Sequence, residues 1–228
     1  MAFNYSPKIV TNGLVVCLDA ANRNSYTSGS AVWRDISKGG SDAALINGPT
    51  FSPVNAGTIV FDGTNDYAVG SLSDPTALNT NGSTVEAWVY HLGIASKVQR
   101  YVSTFPPGLE QAVIRFDGAV TNTVLRYYIV TTTGYKFLTS YNEIYVNNWY
   151  HVVGTWDGTT QRLYKNNVLS LSSAQTGTLV TGSSTSYMLS LETESLNGYM
   201  PIARIYNRAL SAAEIQQNFN AQKARFGL

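Results

Sequence analysis

The residues best suited to recognition chemistry are five tyrosines, Tyr127, Tyr128, Tyr135, Tyr141 and Tyr145, gathered in the stretch 127–145 among Thr, Asn and Ser. An aromatic face with amide and hydroxyl neighbours suits a sugar, whose C–H face packs on the ring while its hydroxyls find partners. Tyr serves equally well in a core or a subunit contact, so both readings stand. Glu192 and Glu194 are two apart; on a strand their Cα atoms lie about 6.6–7 Å from each other. That spacing is near the carboxylate separations of glycoside hydrolysis. The surrounding string SLETESLNG reads as a strand end entering a turn, so no catalytic residue is assigned. His91 and His151 have no Ser or Cys nucleophile in a recognisable setting. Asp62, Asn65 and Asp66 offer the oxygens a hard cation needs, but Asp-Gly-Thr-Asn-Asp is first a turn sequence. No Cys/His set supports zinc.

Composition narrows the class. At 228 residues, one all-β domain over 1–228 is the simplest count. Apolar residues reach 44%, enough to cover two sheet faces, while charged residues are only 13%, about half the usual share of roughly 25%. The surface must then be Ser, Thr, Asn, Gln, Gly and Tyr, which suits neutral hydrogen-bonding partners. A net charge of +1 without a basic stripe argues against nucleic acid. Cys17 is alone in the apolar run Leu14–Leu18 and reads as a small buried hydrophobe. The N-terminus shows no signal-peptide pattern, and no apolar run approaches the ~20 residues that span a membrane. Synthesis and folding in a reducing cytosol are expected.

The elements that must position these residues centre on Trp149–Leu169. Trp149–Trp156 is β-branched and aromatic, Asp157-Gly158 turns the chain, Gln161–Lys165 returns, and Asn166-Asn167 turns again. Further strands are expected at Leu14–Leu18, Thr58–Phe61, Tyr67–Val69, Thr84–Tyr90, Arg100–Thr104, Ala112–Phe116, Val124–Thr131, Tyr135–Leu138, near Tyr187–Leu191, and at Tyr199–Tyr206. Trp33 reads as the anchor of a short edge segment. Asp117-Gly118 is expected to turn, and Ser170–Ser186 to be loop and edge. Residues 1–12 read as an extended leader. Such spacing of strands and turns indicates an antiparallel sandwich or barrel. One helix is expected over 211–223: Ser211 and Glu214 form a capping box, and Leu210 and Ile215 a hydrophobic staple.

FDGTNDY (61–67), TVEAWVY (84–90), NWYHVVGTWDG (148–158), LYKNNV (163–168) and ARIYNRALSAAEIQQNF (203–219) together resemble the laminin-G-like branch of the concanavalin A-like jelly rolls. PKIVTNGLVVCLDAANRNSY (7–26) with WRDIS (33–37) resembles a subgroup from tailed phages, notably marine and cyanobacterial ones. The resemblance implies an all-β, two-sheet antiparallel jelly-roll sandwich with one short C-terminal helix. It implies loops that bind carbohydrate or protein, not one activity. By position, Glu110, Gln111, Glu192 and Glu194 match the calcium ligands of pentraxin-like relatives, which makes calcium the candidate cofactor. The glycanases' longer acidic motif is missing, and His151 matches a structural position. The expected function is a non-enzymatic, lectin-like virion protein on the particle surface, made in the host cytoplasm. It would be docked on capsid or tail, as decoration or as a contact for host-surface glycan. The alternatives are a glycanase on the same fold and a cellular carbohydrate-binding adhesion module. Expected partners are other virion proteins, host-surface glycan or further copies of the chain, without nucleic acid or membrane insertion.

Overall fold

The computed structural model describes residues 8–74, 76–78, 82–93, 98–105, 110–119, 122–180 and 186–228. The described strands are β1 (Leu14–Asp19), β2 (Val32–Trp33), β3 (Ala43–Ile46), β4 (Thr50–Ser52), β5 (Thr58–Asp62), β6 (Tyr67–Ser71), β7 (Ser83–His91), β8 (Val98–Phe105), β9 (Ala112–Ala119), β10 (Asn122–Thr131), β11 (Gly134–Tyr135), β12 (Leu138–Ser140), β13 (Trp149–Trp156), β14 (Thr160–Lys165), β15 (Val168–Ala174), β16 (Ser186–Leu189) and β17 (Asn197–Tyr206). A helix, α1 (Ala212–Gln222), runs into a 3₁₀ turn at Lys223–Phe226. An eight-stranded sheet has the order β15-β14-β13-β7-β17-β5-β4, with β1 also on β17. A nine-stranded sheet has the order β11-β10-β9-β8-β16-β6-β3-β2, with β12 also on β10. The ladders are antiparallel. This is the two-sheet jelly-roll sandwich that the strand spacing and the resemblance led us to expect.

Alternation decides which face each residue serves. On β7, Val85, Ala87 and Val89 enter the core between the sheets, while Trp88 belongs to a separate cluster on the outer face. Facing them from the nine-stranded sheet are Ile114, Phe116, Leu125 and Tyr127. Gly154 on β13 makes room for the Tyr127 ring: a Cβ there would stand 2.3 Å from a ring carbon. The hairpin turns follow their residues. Asn166 and Asn167 both take positive φ, 48° and 66°, as a two-residue type I′ turn requires.

The helix begins as its cap residues demand. The Ser211 hydroxyl accepts from the Glu214 amide (3.3 Å), and the Glu214 carboxylate accepts from the Ser211 amide (2.9 Å). Leu210 and Ile215 meet in one buried cluster. Together with the 3₁₀ turn, α1 covers the centre of the eight-stranded sheet's outer face. Trp88 stacks there on Phe226 (centroids 4.2 Å apart) and on Phe219 (5.7 Å). No helix among the described residues is long and apolar enough to cross a membrane.

One expectation is corrected and two are refined. Asp117-Gly118 does not turn: β9 continues to Ala119, which pairs with Asn122, and Asp117 serves two arginines instead. Ser170–Ser186, expected as loop and edge, is edge in its first part: Val168–Ala174 forms the strand β15 on β14 at the end of the eight-stranded sheet. Leu171 packs that edge strand against the core; residues 181–185 lie outside the described set. The leader is anchored from Lys8 onward. Val10 is buried and its amide donates to Asn218 Oδ1 (2.8 Å), while Gln217 Nε2 donates to the Lys8 carbonyl (2.6 Å). Residues 1–7 lie outside the described set.

Candidate functional site

The outer face of the nine-stranded sheet carries a lattice of arginines, carboxylates and aromatic rings. Register builds it. Arg115 lies opposite Arg100 on β8 and opposite Arg126 on β10, so three arginines line up across three adjacent strands. Like charges directly opposite repel, and carboxylates interleave to offset this. Arg100 holds Glu110 (2.5 Å) and Glu194 (2.6 Å). Arg115 reaches Asp117 (3.0 Å) and stands 4.0 Å from Glu194. Arg126 pairs with the other oxygen of Asp117.

Aromatic rings wall one side. Tyr128 lies 4.9 Å from Phe137 and 5.8 Å from Tyr135, and Tyr135 and Phe137 meet edge to face at 5.4 Å. The Arg115 guanidinium stands 5.8 Å from the Tyr128 ring and 5.3 Å from that of Phe137, and Arg126 is also 5.3 Å from Phe137. Tyr135 is 61% exposed and Phe137 38%, so two apolar ring surfaces reach solvent beside fixed donors and acceptors. Such a surface can stack on a sugar ring and bond its hydroxyls.

The five tyrosines part company. Tyr128 and Tyr135 join this lattice, and the Tyr128 hydroxyl donates to Glu110. Tyr127 is one residue along β10 and therefore faces the core, fully buried; as a sugar contact it is corrected. Tyr141 and Tyr145 are exposed in the loop after β12, and the Tyr145 amide donates to the Tyr150 hydroxyl (2.9 Å). The four residues matched to calcium ligands do not converge on a cation gap. Glu110 and Glu194 both grip Arg100, whose side chain is 3% exposed. Gln111 is buried, donating to the Val180 carbonyl (3.0 Å) and accepting from the Thr104 hydroxyl (3.3 Å). Glu192 is exposed on the turn after β16. Among the described residues no group of three or more His, Cys, Asp or Glu side chains is arranged to hold a metal.

Both histidines are structural. His151 Nε2 is 2.9 Å from Glu86 Oε1, and the same carboxylate holds Arg204 (2.7 Å) and Asn218 Nδ2 (2.8 Å) beneath α1. Burial would push the Glu86 carboxyl up, but Arg204, His151 and Asn218 outweigh it and hold it at about 2. His91 Nε2 lies 2.5 Å from the Tyr101 hydroxyl, and burial lowers the imidazole to about 4. Sequence reading missed Arg100, Arg115, Arg126 and Phe137. The signal was available for two of them: in AVIRF and VLRYY, inward Ile114 and Phe116, and Leu125 and Tyr127, put Arg115, Arg126 and Tyr128 outward.

Comparison with known proteins agrees with this architecture. The family described as the concanavalin A-like lectin/glucanases superfamily matches residues 62–216. No curated protein sequence matches at a significant level. Among solved structures, the receptor-binding domain of a botulinum neurotoxin C/D mosaic serotype superposes with a TM-score of 0.73 at 14% identity, over 93% of this chain and 52% of that one. The serotype D ligand-binding domain in complex with N-acetylneuraminic acid gives 0.71 at 14%, over 93% and 52%. The type G receptor-binding domain gives 0.68 at 13%, over 92% and 52%. The chain thus spans about half of those solved chains, and at such identity the likeness is one of fold. By strand order and by family match, this chain belongs to the concanavalin A-like lectin/glucanases superfamily.

Proposed function

We propose that this chain is a non-enzymatic binding module that recognises a saccharide on the outer face of its nine-stranded sheet. The observation that carries the reading is the exposed pair Tyr135 and Phe137 beside the in-register arginines Arg100, Arg115 and Arg126. A rigid sheet holds these groups in place, so binding costs little side-chain ordering. Bond cleavage is not part of the proposal: Glu194 is spent on Arg100, and Glu192 lies exposed on the turn after β16. Nor is calcium, because the Arg100 guanidinium supplies the positive charge between Glu110 and Glu194. The solved relatives bind receptors, and one holds N-acetylneuraminic acid, which supports a glycan partner. The phage-like opening stretch supports placing the module on a virion, docked on capsid or tail and facing the host surface.

A glycan array tests this, run with calcium and with a chelator, on the native chain and on Tyr135→Ala and Phe137→Ala. Specific binding that survives the chelator and falls by about tenfold or more in the variants is expected, the loss typical of a central aromatic anchor. A blank array at high protein density would overturn the saccharide reading. Binding abolished by the chelator would overturn the metal-free mechanism.

A further inference from the structure

The chain's nine arginines are not evenly neutralised. Arg100, Arg115, Arg126, Arg162, Arg204, Arg208 and Arg225 each pair with a carboxylate. Among the described residues Arg23 and Arg34 pair with none, and both line the same cleft, of about 520 Å³. Its remaining walls include Asn24, Thr27 and Ser30, and no carboxylate lines it. The acid next in sequence, Asp35, is spent elsewhere: it accepts from the amides of Cys17, Ser37 and Ser41 and from the Ser37 hydroxyl. In a chain of net charge +1, two uncompensated guanidiniums in one cavity are a local concentration of positive charge.

A second cleft, of about 480 Å³, adjoins the first and shares Arg23 and Thr27 with it. Its floor is aromatic, Tyr26 stacked on Phe51 with centroids 5.5 Å apart, and it too lacks a carboxylate. The walls are fixed before any ligand arrives. The Arg34 amide donates to the Ser25 carbonyl (2.7 Å), and the Ser25 hydroxyl donates to the Arg34 carbonyl (2.6 Å). The Tyr26 hydroxyl donates to the Ser30 carbonyl (3.0 Å), closing the loop between the arginines. Preformed walls reduce the ordering cost of binding, and a guanidinium fork matches the geometry of carboxylate and sulfate.

We infer that this pair of clefts is a second recognition site, for a saccharide unit bearing an oxyanion, its anion on Arg23 and Arg34 and its ring over Tyr26 and Phe51. The site is formed by residues before position 62, ahead of the family match, and stands whether or not the sheet face binds sugar.

Titration of the full chain with glucuronate, glucose 6-sulfate, inorganic sulfate and neutral glucose tests it, read by calorimetry and by amide chemical shifts at residues 23–34. Glucuronate or glucose 6-sulfate should bind at least about tenfold tighter than glucose, and added salt should weaken the binding as charge screening requires. Arg23→Gln and Arg34→Gln should each cost about tenfold, the loss expected of one charge-assisted contact, while Arg162→Gln, at an arginine paired with Asp157 outside the clefts, leaves the affinity unchanged. Binding of only one of the two acidic sugars would support the site and name its anion. Equal affinity for acidic and neutral sugars, or none lost in the double arginine variant, would overturn it. Inorganic sulfate binding as tightly as glucose 6-sulfate would overturn the saccharide part. Both arginines are exposed, so thermal melts of the variants should match the native chain and separate lost binding from lost folding.

Discussion

The two sheets carry similar chemistry on their outer faces in opposite settings. On the eight-stranded sheet, Glu86 holds Arg204, His151 and Asn218 under α1, with both members of the ion pair at most 1% exposed. On the nine-stranded sheet, Glu110, Asp117 and Glu194 hold Arg100, Arg115 and Arg126 with carboxylates 15–33% exposed. Aromatic rings flank both: Trp88, Phe219 and Phe226 close over the first, Tyr135 and Phe137 leave the second open. A covered charge depends on its protein partners, because no water waits for it. A half-open charge can exchange a protein partner for water or a ligand at little cost. The first network is a latch for the helix; the second is a surface poised to bind.

The sharpest way to break this contrast is to cut one ion pair on each face. Glu86→Ala strands Arg204 in the dry face and should cost about 3–5 kcal/mol, the penalty for an uncompensated buried charge. Urea unfolding would read it as a lowered midpoint. Acid acts on the same carboxylate. Its folded value of about 2 lies below the ordinary 4.5, so its contribution is complete above about pH 4.5 and is lost as pH falls toward 2. His91, between the sheets, adds an earlier phase. Lowered from 6.5 to about 4, it stays neutral in the fold where the unfolded chain takes up a proton. Stability should therefore fall by the order of 3 kcal/mol between pH 6.5 and about 4. In His91→Leu that phase should vanish from the pH profile, whatever the variant's stability at neutral pH.

Arg100→Met is the matching cut on the open face. It frees Glu110 and Glu194, which water can reach, so about 1–2 kcal/mol is expected. A loss equal to that of Glu86→Ala would show that the two faces do not differ in kind.

The helix was legible in the sequence; the latch beneath it and most of the open face were not. Ser211, Glu214, Leu210 and Ile215 announce the helix because capping chemistry is local, and Asn166-Asn167 announces its turn for the same reason. The partners of Glu86 come from β17, β13 and α1, more than sixty positions away, and no local pattern names them. The arginine ladder is hidden by the same physics: register between β8, β9 and β10 is a property of pairing. The tyrosine cluster was visible as composition, yet only the two-residue period separates buried Tyr127 from Tyr128. Position alone matched Glu110 and Glu194 to cation ligands; the structure shows a cation between them, but it is a side chain of the protein.

The smallest stability effect is the most informative about function. Tyr135→Ala and Phe137→Ala remove rings that touch each other and Tyr128 at the rim of the open face. Tyr135 is 61% exposed, so its loss should change the unfolding free energy by no more than about 0.5 kcal/mol, as for surface substitutions generally. Phe137 is less exposed, at 38%, and carries the contacts to Arg115 and Arg126, so it should cost somewhat more. If the open face is a binding surface, both changes should weaken saccharide binding there by about tenfold or more while thermal melts barely move. Substitutions among Trp88, Phe219 and Phe226 should do the reverse, lowering the melt without altering affinity per folded molecule. Stability falling as far for Tyr135→Ala as for Trp88→Ala would mean that the open rings are packing elements, and the two faces would then serve the same purpose.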